Sequence, residues 1–212
     1  MRTWILLLLA LCASACSGTP EPAPTAPEKA RTWSFEGDAE GAPPAGFDLA
    51  LTGGGAVGKW VVRGGVLVQE DPDDTELRFP MAVAEGEEPA DLRLSVRCRM
   101  VSGEVDRAAG LVFRWRSDRN YYLTRANALE GNVRLYAVEN GVRRTLASFD
   151  GAVTAGEWHT LAVEARGDVL RVSFDGKQVL EAKDGTFPGP GRVGVWTKSD
   201  SVTQFDDLRV ER

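Results

Sequence analysis

Val169-Leu-Arg-Val-Ser-Phe-Asp-Gly-Lys-Gln-Val-Leu-Glu-Ala182 decides the fold class. Two short runs rich in strand-forming residues, 169–174 and 177–182, flank an Asp-Gly pair. That dipeptide accepts the positive φ that both central positions of a type I′ turn demand, so the stretch predicts an antiparallel hairpin. The same signal recurs at Asn140-Gly141, and Gly64-Gly65 serves equally well. Working outward, alternating segments bounded by turn residues predict strands over Lys59 to Arg63, Val66 to Glu70, Leu92 to Val101, Ala109 to Arg116, Tyr121 to Asn127 and Val133 to Glu139. Further strands follow over Thr145 to Phe149, Trp158 to Ala165, Arg192 to Thr197 and Thr203 to Val210. No segment carries a helical period of convincing length. So many antiparallel strands exceed what one open sheet holds, and the expectation is all-β: a two-sheet antiparallel jelly-roll sandwich over residues 32–212. An immunoglobulin-type sandwich is disfavoured, because no cysteines pair and the strands outnumber its usual set.

Upstream of the strands the chain changes character. Arg2, an apolar run from Trp4 to Leu11 and the small residues Ala13-Ser14-Ala15 before Cys16 read as an export signal. The run is far shorter than the roughly 20 apolar residues a membrane-spanning helix needs. Ala13-Ser14-Ala15-Cys16 resembles a bacterial lipobox, which implies acylation (palmitate among the chains) at Cys16, although Ala13 stands where Leu is more usual and plain cleavage after Ala15 stays open. Residues 1–16 are thus read as lipoprotein signal and anchor. Ser17 in place of aspartate favours the outer membrane, giving a cell-envelope location with membrane contact through the lipid. Residues 17–31, with Pro20, Pro22, Pro24 and Pro27, read as an extended tether.

Charge and cysteine content exclude several classes. Of 25 Lys and Arg only Arg2 falls within the leader, against 31 Asp and Glu, so the mature chain is acidic and nucleic acid is not an expected partner. Cys98 has no intramolecular partner and shares strand parity with Leu92, Leu94, Val96 and Met100, which makes it a core residue. Phosphate-binding loops, a Ser/His/Asp triad and paired-cysteine zinc sites are missing.

Strand parity singles out one polar face. Leu111, Phe113 and Trp115 alternate with Val112, Arg114 and Arg116. Tyr121, Leu123, Arg125 and Asn127 share a side, Arg134 and Tyr136 oppose Val133 and Leu135, and Trp196 and Lys198 oppose Val193 and Val195. Projected from one sheet, Arg114, Arg116, Arg125, Asn127, Arg134, Tyr136, Trp196 and Lys198 form an exposed cationic, aromatic surface suited to a glycan: rings stack on pyranose faces and arginine or asparagine supplies directional donors. His159, the single histidine, shares parity with Leu161 and Val163. It is a packed imidazole or, as the alternative, a catalytic base. Trp158 reads as the plug at the end of the core.

Gly110 to Leu129, Asn132 to Tyr136, Gly156 to Leu161 and Gly191 to Leu208, in that order and spacing, resemble the concanavalin A-like, laminin G-like jelly-roll domains of the 3-keto-disaccharide hydrolase (3-keto-glucoside lyase and hydratase) family. The resemblance covers residues 32–212. It implies adjacent terminal strands, the first over Trp33 to Glu36, which would bring Glu36, Asp38 and Asp207 together as hard oxygen ligands for structural calcium. It also implies β-elimination chemistry, with His159 or a carboxylate as base and Arg114, Arg125 or a metal stabilising the developing oxyanion. The Glu-x-Asp-x-x-Glu spacing of a family 16 retaining glycosidase is absent. Three readings follow: a glycan-binding module, a 3-keto-glucoside lyase, or an envelope lipoprotein that docks a protein partner.

Overall fold

The computed structural model describes residues 29–212. The leader, Cys16 and most of the expected tether lie outside the described residues. The elements are β1 (Ala30–Trp33), β2 (Phe47–Gly53), β3 (Trp60–Arg63), β4 (Val66–Gln69), β5 (Arg78–Ala84), β6 (Leu92–Ser102), β7 (Ala108–Ser117), β8 (Asn120–Asn127), β9 (Asn132–Glu139), β10 (Val142–Asp150), β11 (His159–Arg166), β12 (Val169–Phe174), β13 (Lys177–Lys183), β14 (Arg192–Trp196) and β15 (Val202–Glu211). Among the described residues there is no helix. All twelve expected strands are present within a few residues of their expected ends, and β1 begins two residues before the expected domain start.

Two antiparallel sheets stack as a jelly-roll sandwich. The first runs β13-β12-β11-β6-β15-β4-β3, with β1 paired to β15; the second runs β10-β9-β8-β7-β14-β5-β2. The three expected hairpin turns all form in the left-handed region: Gly64 and Gly65 at φ 57° and 77°, Asn140 and Gly141 at 54° and 84°, Asp175 and Gly176 at 48° and 78°.

The core lies between the sheets and follows strand parity. β6 alternates buried Leu92, Leu94, Val96, Cys98 and Met100 with exposed or half-buried Arg93, Ser95, Arg97 and Arg99. Opposite it, Leu111, Phe113, Ala126, Val133, Leu135, Val193 and Val195 close the interior. Each fully buried aliphatic or aromatic side chain here contributes about 1.5–3 kcal/mol relative to exposure. Burial also pushes the Cys98 thiol up to about 12, in keeping with a packing role.

The second sheet buries its outer side as well. Phe79, Met81, Val83, Ala108, Val112, Tyr121, Leu123, Tyr136, Val138 and Trp196 form a separate apolar layer there. The cause is curl. Arg143 of β10 sits 4.5 Å from the ring of Phe79 on β5, and Thr52 of β2 hydrogen-bonds the Tyr121 hydroxyl of β8 at 2.8 Å. Five strand spacings in a flat sheet would separate β10 from β5 by roughly 24 Å, so the sheet coils until its opposite corners meet across a concave face.

Candidate functional site

The concave face carries six of the eight residues expected there, and parity places them correctly. Arg125 and Asn127 of β8 stand opposite Arg134 and Asn132 of β9, and Gly110 of β7 separates Arg125 from Trp196 of β14. Gly110 matters because a β-carbon at that position would lie 3.0 Å from the Trp196 ring and 3.0 Å from Leu123. Its absence lets the indole lie down on the sheet.

Arg125 is the hub of the polar part. One terminal nitrogen donates to the Asn132 side-chain oxygen. The other donates to Glu130 Oε2 at 2.9 Å and to the Tyr136 hydroxyl at 3.4 Å. Glu130 also meets Arg134 at 3.9 Å. Burial alone would raise the Glu130 pKa, yet the bonds from Asn132 and Arg125 outweigh it and hold that carboxyl below the usual glutamate range. Alongside, Asn127 donates to Asp106 Oδ1 at 2.9 Å, and Lys198 pairs with the other oxygen of the same carboxylate. Burial pushes Asp106 up despite that lysine. Asp106 is itself posed by Asp200, which accepts the backbone N–H groups of Val105 and Asp106. The result is a fixed array of donors and carboxylates whose exposed members are Glu130, Arg134 and, in part, Lys198, at side-chain exposures of 37%, 36% and 17%.

Several expectations are corrected. Trp196 and Tyr136 are not exposed platforms: Trp196 is wholly buried, stacked on Phe79 at 5.7 Å with 13° between rings. Arg114 is not on this face. It adopts φ 45°, and the pairing of β7 with both neighbours shifts register at that point. This bulge reverses parity beyond it, sending Trp115 to the concave side and Arg116 over the Phe187 ring of the other side. Arg114 is instead fully buried as a structural bolt, donating to the carbonyls of Ala90 (2.8 Å), Phe187 (3.0 Å) and Gly167 (2.8 Å). The bulge needs Gly191 beside it, since a β-carbon there would sit 2.4 Å from the Arg114 carbonyl carbon.

His159 belongs to the opposite sheet and serves structure. Its Nδ1 lies 2.8 Å from Asp175 Oδ2, its Nε2 lies 2.9 Å from Thr154 Oγ1 and 3.0 Å from the Thr154 carbonyl, and its ring stacks on Phe174. With both nitrogens engaged and β11 in the other layer, it is no base for chemistry on the concave face. Trp158 does not plug the core either; it lies half-buried on the outer side of the first sheet, with the guanidinium groups of Arg97 and Arg99 at 4.9 and 5.3 Å. Glu36, Asp38 and Asp207 do not gather: Asp38 accepts from Ala45 N at 3.2 Å, Asp207 pairs with Arg97 at 3.4 Å, and Glu36 lies against Gly65. Among the described residues no three His, Cys, Asp or Glu side chains cluster as a cation site.

Asp106, Glu130 and Asn132 are site residues that the sequence reading missed. Asn132 was within reach, since it shares parity with Arg134 and Tyr136. Asp106 and Glu130 sit in loops, where alternation gives no orientation.

Comparison with known proteins adds kinship. Levanase of Bacillus subtilis (strain 168) is 28% identical over 106 residues, which is 49% of this chain but only 15% of that enzyme. A carbohydrate binding module, CBM66 from Bacillus subtilis, superposes with a TM-score of 0.65 at 21% identity, covering 77% of this chain and 95% of the module. The exoplasmic/lumenal domain of VIP36, solved in a Ca2+/Man-bound form, superposes at 0.58 with 12% identity over 86% of this chain and 88% of that one. At these identities the two structures establish the fold alone. The family described as the galactocerebrosidase C-terminal lectin domain matches residues 74–212. With that match spanning more than half of its residues, the chain belongs to the family of galactocerebrosidase C-terminal lectin domains.

Proposed function

We propose that this chain is a carbohydrate-binding module that holds a glycan on the concave face of the second sheet and performs no chemistry on it. The observation that carries the reading is the pre-set polar array Asp106–Lys198 and Arg125–Glu130–Arg134, supported by Asn127 and Asn132 and backed by Tyr136. Sugar hydroxyls are donors and acceptors at once, and a rigid mixture of carboxylate and guanidinium groups meets both roles without reorganisation. Kinship with a lectin-domain family and similarity to a carbohydrate binding module support the same reading. Cell-envelope anchoring through an acylated Cys16 is part of the proposal; palmitate labelling that survives in Cys16→Ser would overturn it.

The lyase chemistry implied by the resemblance to 3-keto-disaccharide hydrolases would require a base beside a bound sugar. His159 is committed elsewhere, and Asp106 is enclosed by Asn127 and Lys198. Binding without turnover is therefore the reading preferred. A glycan array followed by calorimetry on the wild-type chain and on Arg134→Ala tests it. The side chain of Arg134 is about a third exposed, so its loss should cost under about 1 kcal/mol of stability while weakening glycan binding at least tenfold. No bound glycan, or equal binding by the variant, would refute the assignment. Sugar release from 3-keto-trehalose would point to the lyase instead.

A further inference from the structure

We propose that the glycan taken by this face carries a carboxylate, a uronate being the simplest case, and that Arg143 is the group that recognises it. The inference rests on the glycan-binding reading and adds the chemical class of the ligand.

The cations of the concave face differ in one respect. Arg125 and Arg134 pair with Glu130, and Lys198 pairs with Asp106. Arg143 pairs with no carboxylate among the described residues. Its contacts are aromatic: the guanidinium lies 4.5 Å from the ring centre of Phe79 and 5.3 Å from that of Tyr136. Those rings, brought from β5 and β9 by the curl of the sheet, hold the flat of the guanidinium and leave its edge N–H groups unspent. A planar fork so held matches the two oxygens of a carboxylate, and the stacking removes much of the entropy cost of orienting it.

The same preference follows from hydrogen-bonding capacity. The free edge of the Arg143 fork consists of donors only. A neutral sugar can meet it only with hydroxyl oxygens whose own protons then need acceptors. A carboxylate brings acceptors alone. Tyr136 joins this fork to the polar array, its hydroxyl accepting from Arg125 and its ring lying beneath Arg143. In a chain of formal charge −6, this patch is also where an anion is drawn against the prevailing field.

The test is calorimetry of the purified full chain with oligogalacturonate, oligoguluronate and sialyllactose, each against its neutral partner: the carboxyl-reduced oligomers and lactose. At least one acidic member should bind tenfold or more tightly than its neutral partner, with an advantage that shrinks as salt rises. In Arg143→Met, which keeps an apolar stem over the rings, the members of that pair should bind equally. Arg143→Lys retains charge without the fork, should lose most of the preference, and stands in if the methionine variant fails to fold. Glycan binding by the wild type with no preference for acid, or a preference that survives in Arg143→Met, would overturn this inference and leave the glycan-binding reading intact. Failure to bind any glycan would remove both.

Discussion

Replacing Trp196 with alanine separates a packed second layer from an exposed ligand platform. Trp196 has no accessible surface, stacks on Phe79 and lies over Gly110. Burying a tryptophan removes about 200 Å² of surface; at about 25 cal/mol/Å² this is worth about 5 kcal/mol, an upper figure because the unfolded chain already hides part of it. Measured Trp-to-Ala losses in cores run about 3–5 kcal/mol. Urea unfolding should therefore show a lower midpoint at unchanged slope, and heat should unfold the variant roughly 6–20 °C earlier for a domain of this size. Trp196→Phe should fall between the two. A loss under about 0.5 kcal/mol for Trp196→Ala would mean that the indole is in contact with solvent, and the account of a coiled, self-covered sheet would fail.

Arg114→Met should destabilise by about 3 kcal/mol or more in the same assay, because the Ala90, Phe187 and Gly167 carbonyls lose their donor together; a change below 1 kcal/mol would show that water replaces the guanidinium. Asp184 accepts from the Tyr122 hydroxyl at 2.6 Å, Arg144 at 2.7 Å and Thr186 N at 3.0 Å. Burial works against its charge, yet these bonds hold its pKa well below the usual aspartate range. A depressed carboxylate stabilises the fold above its unfolded pKa, near 4, and that stability is lost as pH falls through the folded value. Asp184→Asn should thus cost about 2 kcal/mol at pH 7, with the gap to wild type closing below pH 4; a gap constant with pH would contradict the assignment.

Hairpins were the legible part of the fold, because Asp175-Gly176 and Asn140-Gly141 state their turn type in two letters. β5 escaped notice because Arg78–Ala84 is buried along its whole length and therefore shows no alternation, and because it holds Pro80 and opens on a fully buried arginine. β2 runs into glycines and escaped as well, while the first strand, expected over Trp33 to Glu36, lies at Ala30–Trp33. At the site, parity placed Arg125, Asn127, Arg134, Tyr136, Trp196 and Lys198 correctly. It failed beyond Arg114, since nothing in Phe113-Arg114-Trp115 announces a positive φ. The curl that buries Trp196 depends on contacts between β10 and β5, which are far apart in sequence and which no local pattern encodes.

The order of the strands bears on when the domain can exist at all. β15 lies between β6 and β4 in one sheet, and β14 lies between β7 and β5 in the other. Until those two strands arrive, β2 to β5 have no strand pairing with the rest of either layer. A nascent chain must therefore have made both β14 and β15 before the two halves of each layer can be joined. Deleting Thr203 to Phe205, which pair with β4 on one side and β6 on the other, would remove a keystone from the structure and not merely trim its edge.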